Sequence, residues 1–257
     1  MKLGLLPLKN PGNLFVIGDV HGEKVKLRKV LAYIARKLKP EDHVVFCGDL
    51  VDAGPDSPGV LLDIISFKKG HANTFIVRGN HEIMMLKAVF RPTPGDWYTP
   101  NKDRVYNMGW QLNKNYGVGK TRADFMKWME SSGVLEIMSE SLPYYETDKV
   151  IVTHAPIDQK IIDDKELEPH EGLLDKIQED IIWGFQSHED AEVEGVEKLL
   201  ICGHQNNWGK TASPRHYPRN RRLFLDTGSG YHQANPLACV EITQDGQIMT
   251  ILARDDD

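Results

Sequence analysis

The sequence predicts an α/β fold, and three observations carry that prediction. Six short apolar runs rich in β-branched residues recur along the 257 residues, each run ends in a cluster of Gly, Asp, Asn or His, and the earlier runs are separated by stretches of helical periodicity. The runs are LFVIGDVHG (14–22), HVVFCGDLVD (43–52), TFIVRGNHE (74–82), KVIVTHAP (149–156), KLLICGHQN (198–206) and RLFLDTGSG (222–230). Buried strands joined by helices build a sheet whose ligand crevice opens at the carboxyl ends of the strands, which is where every polar cluster falls.

Between the first two runs, Leu27, Val30, Leu31, Ile34 and Leu38 mark one apolar face of a helix that stops at Lys39-Pro40. A second, weaker helix fits 60–67, and a third fits 82–90 before Pro92 and Pro94 end it, so the first half reads βαβαβα. The segment 91–133 breaks the pattern with Trp97, Tyr98, Tyr106, Trp110 and Tyr116 among Gly, Asn and Pro, and closes in a helix over 121–132. It reads as a cap-like insertion beside the site, within a single domain covering 1–257. The acidic stretch 157–197 contains the amphipathic run LLDKIQEDIIWGF, read as helix followed by loop.

Composition narrows the function classes. A net charge of −6 argues against a surface built mainly to grip nucleic acid or anionic lipid. Cys47, Cys202 and Cys239 are too few for a disulfide framework and read as small buried strand residues, which suits a reducing compartment. The N-terminal MKLGLLPLKN has no small-residue cleavage site, and no apolar stretch approaches the ~20 residues that cross a bilayer. The expectation is a cytoplasmic protein with no membrane partner.

The chemistry lies in the clusters. Asp19 and His21, Asp49, Asn80 and His81, His154, and His204 stand at the ends of five of the six runs. Carboxylate, amide oxygen and imidazole together form the mixed set that Mn, Fe or Zn accepts. Asp49, in the middle, can bridge two ions ~3.5–4 Å apart, a pair able to generate hydroxide at neutral pH and to clamp a phosphoryl oxygen. His81, beside a ligand but not needed as one, suits a general acid oriented by Asp52. The alternative for these residues is turn and capping chemistry at strand ends.

The blocks GDVHG, GDLVDAGP and RGNHE resemble the signatures of the calcineurin-like metallophosphoesterases of phosphoprotein phosphatase type. NMGWQLNKNYG (107–117), SLPYYE (141–146), THAP (153–156), CGH (202–204) and LDTGSGY (225–231) are similar, in order, to the bacterial and phage branch. That branch includes the lambda-type Ser/Thr phosphatase and the symmetrical dinucleoside tetraphosphatase. The resemblance spans roughly 14–242 and implies a four-layer α/β/β/α sandwich. It assigns Asp19, His21 and Asp49 to one metal and Asp49, Asn80, His154 and His204 to the other, with His81 as acid and Asp52 as its partner.

Two departures bear on substrate. Family members carry Arg-Gly after the Asp of the second block, where this chain has Ala53-Gly54, and IIWGFQSHE (181–189) lacks the second phosphate-gripping Arg. Each such contact contributes roughly 1.5–3 kcal/mol, so either the substrate carries less charge at phosphorus or other cations substitute. Candidates lie in SPRHYPRNRR (213–222), chiefly Arg215 and Arg219, a stretch that reads either as a solvated basic loop or as a phosphate clamp. Arg78 reads either as a substrate contact or as a brace for its loop. A smaller departure is Ala155-Pro156, where a Gly usually follows the His-Ala pair. The expected activity is hydrolysis of phosphate monoesters by a metal-bridging hydroxide, with two divalent ions, Mn first, and a phosphoprotein as substrate. The alternative is a phosphodiesterase or a dinucleoside polyphosphate hydrolase.

Overall fold

The computed structural model describes residues 10–91, 108–157, 183, 198–206, 213–217 and 221–256. All six apolar runs form strands. The first sheet runs β10(Ile248–Ala253), β9(Leu237–Ile242), β1(Leu14–Ile17), β2(His43–Phe46), β3(Thr74–Ile76). The second runs β4(Tyr145–Glu146), β5(Val150–Thr153), β6(Leu199–Cys202), β8(Arg222–Phe224), β7(Arg215–Tyr217). In each sheet a parallel trio, β1-β2-β3 or β5-β6-β8, is extended by antiparallel strands.

Strand alternation explains why the core has two compartments. Phe15, Ile17, Val44 and Phe46 face the helices, while Leu14, Val16, Val45 and Cys47 face the second sheet and pack with Val150, Val152, Ile201 and Leu223. The helices are α1(Lys24–Lys37), α2(Ser57–Gly70), α3(Asn80–Phe90), α4(Met108–Tyr116), α5(Arg122–Ser132) and α6(Val134–Ser139). Leu27, Val30, Leu31 and Ile34 bury the apolar face of α1, as their spacing requires, and Leu38 caps the helix by donating its N–H to the Ile34 carbonyl.

Of the cap-like insertion, 108–132 forms α4 and α5, whose Met108, Leu112, Phe125 and Met129 join the helix-side core. Residues 92–107, with Trp97, Tyr98 and Tyr106, lie outside the described residues, as does the helix expected over 173–185 apart from Trp183. The described residues therefore show helices, sheet and sheet, three of the four layers expected. Part of the basic stretch is an edge strand, β7, rather than a loop, and Arg222 is buried in β8. Cys47, Cys202 and Cys239 are buried, and burial pushes each thiol up, so all three stay protonated.

Candidate metal centre

Both sheets deliver their polar clusters to one place. Asp19 and His21 follow β1, Asp49 and Asp52 follow β2, Asn80 and His81 open α3 after β3, and His154 and His204 follow β5 and β6. Turning the chain so sharply at strand ends strains it. His21, Asp49, Asp52, Ala53 and His204 have left-handed backbone with φ of 46°, 48°, 68°, 62° and 63°. Non-glycine residues take that conformation at a cost of roughly 1–2 kcal/mol each. Space is also reserved: a Cβ on Gly203 would stand 1.8 Å from Asp19 Oδ1.

The loops are held by side chains reaching into backbone. The Glu82 carboxylate, fully buried, accepts N–H bonds from Asp49, Leu50 and Gly79 at 2.8, 2.8 and 2.9 Å. Burial and the nearby Asp49 push this group up to about 7. Ser57 Oγ accepts from Asp52 N, and Gln111 of α4 accepts from Ser57 N while donating to the Gly54 carbonyl. Met108 N donates to Asp52 Oδ1 at 3.2 Å, so the first residue of α4 helps set the Asp52 carboxylate.

Around Asp49 the donor atoms form two groups. His21, Asp49 and His81 offer ligand atoms within 4.8 Å of one another, and so do Asp49, His154 and His204. Asn80 Oδ1 lies 2.9 Å from His154 Nε2 and 3.2 Å from His204 Nδ1. The protons are elsewhere. His154 Nδ1 is 2.9 Å from the Cys47 carbonyl and His21 Nδ1 is 3.0 Å from the Val51 carbonyl, contacts that only N–H can make. With burial holding His154 down to about 4 and lowering His21, both rings are neutral. Their Nε2 lone pairs therefore face Asp49 oxygens at 3.4 and 3.5 Å. Acceptor atoms facing acceptor atoms in a buried site repel unless a cation stands between them.

Asp19 carries the same message. Its Oδ1 is buried with no hydrogen-bond partner, Oδ2 accepts from His204 N at 2.8 Å, and burial together with Asp226 and Asp49 raises its carboxyl well above the ordinary range. Burial would raise Asp49 too, but its surroundings outweigh that and hold the carboxyl well below the usual range, the His81 ring and the N–H that His81 donates to Oδ1 contributing. The Asn80 amide, rotated by 180°, would donate to Asp49 at 3.2 and 3.1 Å; the oxygen-inward orientation is the one a cation selects. The residues present thus fit a divalent pair sharing Asp49.

His81 differs from the other imidazoles. Its Nδ1 is bonded to Asp52 Oδ2 at 2.8 Å, and Nε2 is 4.0 Å from Asp49 Oδ2. Burial disfavours its charge, but Asp49 and the bond to Asp52 prevail and raise it to about 9, so at neutral pH it holds a proton.

The three arginines named from the sequence have unlike fates. Arg78 is buried, with Nε on Ser141 Oγ at 2.8 Å and Nη2 on the Ser141 carbonyl at 3.0 Å, the position of a brace. Arg215 donates to the Gln205 carbonyl at 2.6 Å and lies over the Phe224 ring, against the loop that carries His204. Arg219 lies outside the described residues.

Several residues of the site have no counterpart in the sequence-based set. Glu82 had a signal, since it sits three residues into α3 from Gly79 in the manner of a capping box. Asp226, buried and raised to about 7 by that burial, follows β8. Tyr231 sets its ring 5.0 Å from His21, and Trp183 sets its ring 6.0 Å from His204; both rings are about half exposed.

The family model for calcineurin-like phosphoesterases matches residues 12–246. The chain belongs to that family. A symmetrical bis(5′-nucleosyl)-tetraphosphatase of Coxiella burnetii is 36% identical over 91 residues, a stretch amounting to 35% of this chain and only 30% of the relative. Among solved structures, a cold-active protein-tyrosine phosphatase of Shewanella superposes with a TM-score of 0.58 over 94% of this chain and 80% of its own, at 13% identity. A serine/threonine phosphatase from Saccharomyces cerevisiae gives 0.55 over 95% and 81%, at 15% identity. These two likenesses establish the fold. Among the described residues no helix is long and apolar enough to cross a membrane.

Proposed function

We propose that this calcineurin-like phosphoesterase hydrolyses phosphate monoesters, in the manner of a protein serine/threonine phosphatase, with two divalent ions, manganese first. The observation that carries the reading is the pair of donor groups sharing Asp49, one of which includes His81, the imidazole that holds a proton at neutral pH. Asp19, His21 and Asp49 would hold one ion, and Asp49, Asn80, His154 and His204 the other. When bound, such a pair lowers the pKa of water and neutralises phosphoryl charge.

The chain's own residues supply the rest. His81 donates the proton that the leaving oxygen needs, and Asp52, 2.8 Å from Nδ1, fixes the ring so that Nε2 carries that proton toward substrate. Glu82 and Gln111 keep the two carboxylates in register. Arg215 and Arg219 are the candidates for phosphate contact in place of the arginine missing at Ala53. The substrate is a phosphorylated macromolecule or nucleotide.

A specific observation favours a second reading. The half-exposed Tyr231 and Trp183 rings flank the two donor groups, a setting suited to a flat base, and one relative is named a dinucleoside tetraphosphatase. The test is turnover by manganese-loaded protein. Faster cleavage of nitrophenyl phosphate and phosphopeptides than of bis-nitrophenyl phosphate and a dinucleoside tetraphosphate supports the monoesterase. The reverse order rejects it in favour of the second reading.

A further inference from the structure

Lysine is among the residues least often buried, because removing an ammonium from water is costly unless it is paired and hydrogen-bonded. Lys26 is 0% exposed. It sits in the first turn of α1 on the same face as Val30 and Ile34, both buried in the core, where an apolar residue would be the cheaper choice. Its Nζ donates to the Ser229 carbonyl at 3.0 Å, and Glu23 Oε2, 3.3 Å away, supplies the countercharge.

Ser229 returns the connection. Its Oγ, also fully buried, donates to the Asp19 carbonyl at 2.8 Å. The neighbouring Gly230 lies so close to His21 that a Cβ there would stand 2.4 Å from the His21 Cβ. On its other side the 19–22 segment is held by Asp49 and Leu50, whose carbonyls accept from Val20, His21 and Gly22. The segment is thus gripped from two directions, and one grip runs through Lys26.

We propose that Lys26 is a positioning residue for the Asp19–His21 half of the centre, fixing the 226–230 loop against that segment so that both ligands are preset for one of the two cations. The inference rests on the metal reading given above. Among the described residues no comparable side chain ties the 226–230 loop to His154, so the effect of Lys26 falls chiefly on the ion of Asp19 and His21 and reaches the other only through the Asp19–His204 bond.

The test is calorimetric titration of metal-stripped full-length protein with manganese, alongside electron paramagnetic resonance. Wild type takes up two ions per chain and gives the signal of a coupled pair. Lys26→Met is expected to weaken one ion by about 10–100-fold and to change the other far less, so that partial loading gives the spectrum of isolated manganese. Lys26→Gln, which keeps a donor for the Ser229 carbonyl, recovers part of the lost affinity. A merely structural role predicts a lower Tm, equal with and without manganese, and two unchanged affinities, and that result overturns the inference alone. Should Lys26→Met not fold, Ser229→Ala decides by the same titration, since unchanged affinity for both ions there is also a refutation. A wild-type chain that takes up no manganese overturns the metal reading and this inference with it.

Discussion

The two sheets bring donor groups to the same centre from different surroundings. The first is covered by helices through a broad core, and its loops are cross-braced by Glu82, Ser57, Gln111 and Ser229. On the outer face of the second, the described residues show one small cluster of Ile151, Ile157 and Leu200 with Tyr144 against it. Its donors are anchored mainly to the other sheet, His154 through the Cys47 carbonyl and His204 through the Asp19 carboxylate. The contrast teaches that the second sheet's imidazoles are placed against the loops of the first.

The largest test of that asymmetry is Asp49→Ala. Because both donor groups share this carboxylate, metal analysis should show both ions lost, with turnover falling further than for any other single change considered. His154→Ala, on the second sheet, should cost one ion and leave the first-sheet ion in place; equal losses from the two variants would break the comparison.

Next comes His81→Ala, expected to lower turnover by about 10²–10⁴-fold with metal content intact, because the ring acts on substrate and not on the ions. Its pH behaviour follows from its partners. Folding raises this imidazole to about 9 from an ordinary value near 6.5, so its stabilising contribution is complete below about pH 6.5 and is lost as pH rises through 9. In the metal-loaded protein, where the cations share the Asp49 charge that raises this ring, the alkaline fall in turnover should lie below that value. Asp52→Asn removes the bonded charge and should move that limb down by about 1–2 pH units, read from the kcat profile.

A smaller effect compares the cores themselves. Leu27→Ala, in the helix-side cluster, should cost about 2–5 kcal/mol in denaturant unfolding. Leu200→Ala, buried in the outer cluster of the second sheet, gives the comparison by the same measurement.

Much of this arrangement was legible in the residues. The six runs became strands because each couples β-branched side chains to a polar terminus that a buried strand cannot contain, and the named Asp, Asn and His residues converge for the same reason. β9 and β10 had no such punctuation; β9 is buried throughout, and its Glu241 is tolerated because Lys37 and Tyr33 reach it. β7 was hidden among basic residues, and pairing with β8 rather than local propensity makes it a strand. The braces were the least visible. Lys26, Glu82, Gln111 and Ser229 act by bonding backbone far away in sequence, and only the fold reveals which carbonyl or amide each will meet.

The left-handed turns carry a further consequence for how this protein would respond to selection for heat resistance. Conformational energy is stored where the donors are, so relaxing it at Asp49 or His204 would gain durability at the expense of chemistry. Ala53 is the one strained position in the second block with no functional atom, and glycine adopts its φ of 62° without a Cβ penalty. Ala53→Gly should therefore add about 0.5–1 kcal/mol of stability at unchanged metal uptake, making this the natural first step for a thermostable variant.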